Sequence, residues 1–159
     1  MPPLMVETLH SLARFLGREI GTTEWFVVTQ ELIQRFAETT EDRQWIHLDR
    51  ERTQRDSAYG TTIAHGFLTL ALLSHFLRQC IQIQSGVRMS VNYGLNRVRF
   101  MSPVHVGKRI RGRAKLISVE EVQPNVIQQV SQITVEIEGE AKPAMVAESV
   151  TRTYLEPQA

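Results

Sequence analysis

The spacing of hydrophobic residues near the start of the chain predicts an amphipathic helix. Hydrophobic residues recur there at the i, i+3, i+4, i+7 interval of one helix face, at Leu9, Leu12, Ala13 and Leu16. We expect this N-terminal helical extension to lie within residues 1–22 and to cover one end of a core.

The next stretch predicts a short strand followed by a second amphipathic helix. Residues Glu24 to Thr29 are rich in aromatic and β-branched side chains, which favour a strand. Thr29 can then cap a helix, because its hydroxyl can accept a hydrogen bond from one of the first free backbone N–H groups. The hydrophobic residues of that helix share one face, at Leu32, Ile33, Phe36 and Ala37.

A later segment is apolar around nearly its whole circumference. It reads GFLTLALLSHFL from Gly66 to Leu77, which is shorter than the roughly 20 residues that cross a bilayer. A helix of this kind must be wrapped by other structure. Hydrophobic runs and turn signals beyond it predict five strands, at about residues 87–91, 96–101, 108–119, 126–138 and 144–155.

These elements predict an α+β fold in which an antiparallel sheet curls around one long apolar central helix. Such a sheet leaves strand edges, which proteins commonly hide by pairing with a second copy of the chain. We therefore also expect a homodimer.

Length and composition indicate one cytoplasmic domain. With 159 residues, the chain has room for one domain with a sizeable core, so we treat residues 1–159 as a single domain. A formal net charge of +1 gives no overall attraction to nucleic acid or to anionic membranes. Cys80 is the single cysteine, and the first residues lack the basic and apolar parts of a signal peptide. We expect no nucleic-acid partner and no membrane partner.

A long polar segment between the two main helices holds candidate chemistry. Residues 41–62 show little periodicity, and a loop of this length inside a small domain is often functional. Asp42 and His47 could converge on one water molecule if Trp45 and Ile46 pin the loop into the core. A carboxylate and an imidazole held around a water form an acid–base pair. An ordinary turn with a packed histidine is the alternative.

Gly66 is placed where the apolar helix should begin. Backbone N–H groups at a helix start have no partner inside the helix, and glycine lets a ligand approach them closely. An N–H aimed at a carbonyl oxygen that gains negative charge acts as an oxyanion hole. Close helix packing is an equally good explanation of this glycine.

Three blocks, FAETTEDRQWIHLD, TIAHGFLTLALLS and NYGLNRVRFMSPVHVG, resemble the MaoC-like, (R)-specific enoyl-CoA hydratase family of hotdog proteins. The likeness is greatest to the branch that contains nodulation protein N, and it runs from about Trp25 to the C-terminus. The resemblance implies a hotdog fold, a dimer, and addition of water to a trans-2-enoyl-CoA without a metal or a redox cofactor.

The resemblance also implies roles for particular residues. Asp42 and His47 would hold the water, and the N–H of Gly66 would face the thioester carbonyl. The matching substrate-binding positions are Gln44, Ser74, Tyr93 and Gly94. Unlike the family pattern, which commonly has a glycine before the aspartate, this chain has Glu41, and we expect its side chain to point to solvent.

Basic residues are concentrated in one part of the predicted sheet. Residues 97–115 contain seven basic side chains and no acidic one: Arg97, Arg99, Lys108, Arg109, Arg111, Arg113 and Lys115. A solvated outer face balanced by acidic residues elsewhere explains most of them, and phosphate contacts to CoA could involve one or two. Three further histidines, His65, His75 and His105, lack metal-ligand spacing and are expected to be packed or on the surface.

Two other functions remain open at this point. A hotdog thioesterase would act on the same ligands, but it typically has a carboxylate on or near the central helix, and the segment 67–79 has none. A non-catalytic acyl-CoA or nucleic-acid binding module could use the basic strands, although the near-neutral charge makes this weak.

Overall fold

Helices occupy most of the first half of the chain, and long strands occupy the second. The computed structural model describes residues 3–157. Its helices are a 3₁₀ helix (His10–Phe15), α1 (Gln30–Thr40), α2 (Trp45–Leu48), α3 (Arg50–Asp56), α4 (Gly66–Ala71) and α5 (Leu73–Cys80). Its strands are β1 (Leu4–Val6), β2 (Glu19–Thr22), β3 (Phe26–Val27), β4 (Ile81–Ile83), β5 (Val87–Phe100), β6 (Arg109–Gln123), β7 (Val126–Ile137) and β8 (Met145–Leu155).

Six of the strands form one antiparallel sheet against the central helical segment. The strand order is β2-β6-β7-β8-β5, and β3 pairs with another part of β6. Helix α5 packs on β6, where Gly112 leaves room for Phe76: a Cβ on Gly112 would lie 2.7 Å from the Phe76 Cβ. An antiparallel sheet folded on a central helix is the hotdog architecture, so the predicted fold class is confirmed.

The central helix has an interruption that the sequence pattern did not reveal. Helices α4 and α5 meet at Leu72, which has φ −70° and ψ −8°. Leu72 still donates to the Leu68 carbonyl and accepts from Phe76, so the helical path continues through the break. The expectation that it is wrapped all round is wrong within residues 3–157, because Phe67 is 67% exposed.

The N-terminal segment differs from the prediction for residues 1–22. It contains a single 3₁₀ helix between β1 and β2, so the prediction of an amphipathic α-helix is wrong. Leu9 and Leu12 are buried as the spacing required, but Leu16 is not. Gly17 adopts φ 73° and turns the chain into β2. Within β2, Gly21 packs closely on Cys80: a Cβ on Gly21 would lie 2.8 Å from the Cys80 backbone. The part of this prediction that covers residues 1–2 lies outside the described residues.

Two further segments differ from the prediction. The polar stretch 41–62 holds two short helices, α2 and α3, and Asp49 caps α3 by accepting from the Arg52 N–H. Strand β5 is continuous over residues 87–100, with shifts in register where two strands had been predicted. None of the helices in the described range is long and apolar enough to span a membrane.

Candidate active site

A short connection between α3 and α4 forms the floor of the candidate site. Its backbone is tied to neighbouring elements on both sides: the N–H of Ile63 donates to the Ile46 carbonyl at 3.2 Å, and that of Ala64 donates to the Val104 carbonyl at 2.8 Å. Gln30 of α1 adds a brace, since it accepts from the Thr62 hydroxyl at 2.6 Å. The connection is therefore a fixed platform for the side chains beside it.

His47 lies on α2 with its ring buried against this platform. Its Nδ1 is 2.7 Å from the Ile63 carbonyl oxygen. Because a carbonyl oxygen can only accept, Nδ1 carries the proton and Nε2 keeps its lone pair. Burial lowers the pKa of His47 from its ordinary 6.5, and the hydrogen bond to Ile63 opposes this. The ring is thus a neutral base near pH 7, and its basic atom is Nε2.

Asp42 lies in the turn between α1 and α2. The turn is made by Glu41, which closes α1 in the left-handed region at φ 58°. The Glu41 side chain is exposed and pairs with Arg43 at 3.1 Å, so the expectation that it points to solvent is confirmed. A carboxylate oxygen of Asp42 and one ring nitrogen each of His47 and His65 lie within 4.8 Å of one another.

Gly66 lies on the wall of a cavity that also exposes His47. The cavity has a volume of about 330 Å³ and is lined by both residues and by Phe100. Gly66 begins α4, so its N–H has no partner inside the helix, and no other acceptor for it occurs in residues 3–157. The Phe100 ring covers Gly66, since a Cβ there would lie 3.2 Å from it.

The structure does not bring all seven predicted site residues together. Ser74, Tyr93 and Gly94 line a second cavity of about 260 Å³, between the central helices and β5. The Ser74 hydroxyl accepts from the Asn92 side-chain amide at 3.1 Å, which ties α5 to that strand. Gln44 is exposed at the start of α2 and lines neither cavity. His47 is near both other proposed catalytic residues: one of its ring nitrogens lies within 4.8 Å of an Asp42 carboxylate oxygen, and it lines the cavity with Gly66, although Asp42 is not among the residues that line this cavity. The four substrate-binding positions lie apart from this group.

Most of the basic residues in the predicted patch have carboxylate partners. The pairs on β6 and its edge are Lys108–Glu140, Arg109–Glu138, Arg111–Glu136 and Arg113 with both Glu19 and Glu136. Arg97, Arg99 and Lys115 have no carboxylate partner within the described range. A balanced outer face thus accounts for the four residues from Lys108 to Arg113.

His65 is a site residue that the sequence did not reveal. It was expected to be an ordinary packed or surface histidine, yet its Nε2–H donates to the Asp42 carbonyl at 2.9 Å and its ring stacks on that of His47. These contacts join residues 23 and 18 positions apart, which no local pattern marks. The available signal was the sequence AHG, Ala64 to Gly66, which places His65 directly before the oxyanion-hole candidate Gly66.

The side chains of Asp42, His47 and His65 are close enough to one another that they could be metal ligands. A tetrahedral metal needs lone pairs that converge on one point about 2.0–2.1 Å from each ligand nitrogen. The free lone pairs here belong to His47 Nε2 and His65 Nδ1, on rings whose centroids are 3.7 Å apart and whose planes differ by 25°. Lone pairs that lie in two stacked, nearly parallel ring planes do not converge on one point, so the two imidazoles are poorly arranged to chelate one ion.

Comparison with known proteins agrees with the fold. The solved MaoC-like dehydratase of Rhodospirillum rubrum superposes with a TM-score of 0.72 at 19% identity, covering 96% of this chain and all of that one. The 3-hydroxyacyl-thioester dehydratase Z of Mycobacterium tuberculosis is 47% identical over 146 residues, 92% of this chain and 95% of that protein.

Two further findings identify the family. Nodulation protein N of Rhizobium meliloti is 38% identical over 151 residues, which cover 95% of this chain and 94% of that protein. The family model described as the MaoC like domain matches residues 11–138. The chain therefore belongs to the MaoC-like dehydratase family and, within it, to the branch that includes nodulation protein N.

Proposed function

We propose that this chain is a hydro-lyase that adds water reversibly to a trans-2-enoyl-CoA and forms an (R)-3-hydroxyacyl-CoA. The observation that carries the proposal is the orientation of His47. Its Nδ1–H donates to the Ile63 carbonyl, which leaves Nε2 as the basic atom of a ring that lies near the Asp42 carboxylate and lines the cavity with Gly66. The 47% identity to a protein named as a 3-hydroxyacyl-thioester dehydratase supports it.

The proposed reaction uses these groups in sequence. Asp42 and His47 hold one water, and His47 Nε2 accepts its proton as the oxygen attacks the β carbon. The electron pair of the double bond moves onto the thioester, whose oxygen takes up enolate charge in front of the Gly66 N–H. A proton is then returned to the α carbon, so water is added overall and the enzyme is regenerated.

We propose that no metal or redox cofactor takes part. Hydration of a double bond adds a proton and a hydroxide and involves no net oxidation or reduction of the substrate, so it needs no electron carrier. The thioester already polarises the double bond toward attack at the β carbon. The CoA group belongs to the substrate.

We propose that the second cavity receives part of the acyl chain, in line with the roles expected for Ser74, Tyr93 and Gly94. It is the apolar gap between the central helices and β5, also lined by Leu70 and Leu95. For the CoA phosphates we propose Arg97 and Arg99, which have no carboxylate partner in the described range and precede Phe100, the residue over Gly66.

We propose that the chain forms a homodimer through β5. This strand is at the end of the sheet order, and every residue in it except Val87 and Val98 is exposed. Its exposed side chains include the large apolar residues Met89, Val91, Tyr93 and Leu95. A long apolar edge strand is prone to pair with other chains, and a second copy would satisfy both its backbone and its side chains.

We expect Leu95→Glu to shift this dimer toward monomer, because the substitution puts an unpaired charge into a face that the partner would bury. Analytical ultracentrifugation at micromolar concentration measures the change. Ile117→Glu on β6 is the matched control, since Ile117 is 41% exposed and Leu95 is 45% exposed. A wild-type monomer, or equal effects of both substitutions, would contradict the proposed interface.

The assay that tests the function follows the loss of enoyl absorbance with crotonyl-CoA and longer 2-enoyl-CoA substrates. Chiral analysis of the product tests the (R) configuration. Release of free CoA without loss of the double bond would instead indicate a thioesterase. Binding without either product would indicate a non-catalytic acyl-CoA module.

A further inference from the structure

We propose that His65 is a positioning residue that holds the Asp42 main chain and the His47 ring in one arrangement. This inference rests on the proposed function, because it names what fixes the two groups that would hold the water. It goes beyond the predicted site, in which His65 had no role.

The first contact fixes Asp42. His65 is 2% exposed, and its Nε2 is 2.9 Å from the Asp42 carbonyl oxygen, which can only accept, so Nε2 carries the proton. The other hydrogen bond of Asp42 is a long one, from its N–H to the Thr40 hydroxyl at 3.5 Å. An exposed turn residue with one good hydrogen bond depends on it for its position.

The second contact fixes His47. The two imidazole rings stack with centroids 3.7 Å apart, and the Phe36 ring lies 5.1 Å from His65. The Ile63 carbonyl restrains His47 at one atom only, so the ring could still rotate about that hydrogen bond. Stacking on His65 removes this freedom and sets the direction of the Nε2 lone pair.

A purely structural role explains His65 poorly. Its Nδ1 is buried and has no hydrogen-bond partner in residues 3–157. A buried polar atom without a partner costs free energy, so a phenylalanine or leucine would fill this space better. The imidazole therefore carries an energetic cost that a residue with only a packing role would avoid.

Loss of this support should appear in turnover. Catalytic groups need to be held within about 0.5 Å of their working geometry, and a misplacement of about 1 Å can cost roughly 100-fold in rate. The titratable groups that face His47 are Asp42 and His65, with Tyr59 on the wall of the same cavity. Because His65 contributes to lowering the pKa of His47, its replacement should raise that pKa.

The test compares His65→Phe, which keeps a ring but loses the N–H donor, with His65→Gln, which keeps a donor but loses the ring. We expect kcat with crotonyl-CoA to fall about 10- to 100-fold in His65→Phe and less in His65→Gln, with KM within about three-fold of the wild type. The exposed His75 provides the control His75→Gln, which should leave kcat unchanged.

A second readout does not depend on turnover. NMR titration of the His47 ring should show a raised pKa in both variants and an unchanged pKa in the control. Folded variants with wild-type kcat and an unchanged His47 pKa would overturn the proposal. If the wild type itself is inactive on every 2-enoyl-CoA, the proposed function fails, and the NMR result still decides whether His65 controls His47. Should His65→Phe fail to fold, His65→Gln decides both readouts.

Discussion

Replacing His47 with alanine is expected to lower kcat on a 2-enoyl-CoA by about 10²- to 10⁴-fold, the usual contribution of a general acid–base group. The substitution removes the basic Nε2 of a ring that lines the cavity, while the platform under it keeps its backbone hydrogen bonds. Initial rates of loss of enoyl absorbance measure the effect. His75→Ala is the control, since His75 is exposed and bonds to Gln79.

The pH dependence gives an independent check on His47. Because burial lowers its pKa below the ordinary 6.5, the ring stays neutral at pH 7, and kcat/KM should fall only on the acid side of that value. The lowered pKa of His47 also affects the free energy of unfolding. Because the unfolded chain binds the proton more readily than the folded protein, the stability is lost as the pH falls below 6.5. An acid limb above pH 6.5, or a His47→Ala variant within ten-fold of the wild type, would contradict the role of this ring.

Replacing Asp42 with asparagine is expected to lower kcat by about 100-fold or more, because the water loses its anionic partner. The change is nearly isosteric, and the hydrogen bond from His65 goes to the main-chain carbonyl, so the turn should keep its position. The loss then reports the charge of the carboxylate and not a displaced loop. Steady-state kinetics beside a thermal unfolding curve separates the two explanations.

The neighbouring carboxylate provides a matched control for Asp42. Glu41 is exposed and pairs with Arg43. Glu41→Gln removes the same charge one position earlier in the chain, and kcat should remain at the wild-type level. A comparable loss of kcat in both variants would mean that catalysis depends on the overall negative potential of the turn. It would contradict a direct contact between the Asp42 carboxylate and the water.

The sequence predicted those parts of the fold that are set by neighbouring residues, such as helix caps and the periodicity of buried positions. The Thr29 hydroxyl does accept from the Leu32 N–H at 3.2 Å and starts α1. In β7, which the sequence predicted at residues 126–138, the alternate residues Ile133, Val135 and Ile137 share the buried face, as the period of two along a strand requires. Periodicity also found the buried Leu9 and Leu12, but it predicted the wrong helix type, because i, i+3 spacing fits a 3₁₀ helix as well.

What the sequence could not reveal depends on distant contacts. The pairing of His65 with Asp42 and His47 is set by how α4 meets the turn after α1. Whether an apolar face is covered by the same chain or by another molecule is also invisible in the pattern, and this is why Phe67 was expected to be wrapped. Of the candidate site, Asp42, His47 and Gly66 were singled out from local features of the polar loop and of the helix start, and the resemblance supplied the relation between these two segments.

Cys80 lies at the end of α5 and packs against β2, so its reactivity can report separation of this helix from the sheet. Burial raises the pKa of this thiol to about 11, so almost none of it is the reactive thiolate at neutral pH. A thiol reagent would therefore modify only those molecules in which α5 has separated from β2. The rate of labelling of this native cysteine measures how often α5 separates from β2. A lower rate in the presence of an acyl-CoA would measure how far the bound ligand suppresses that separation.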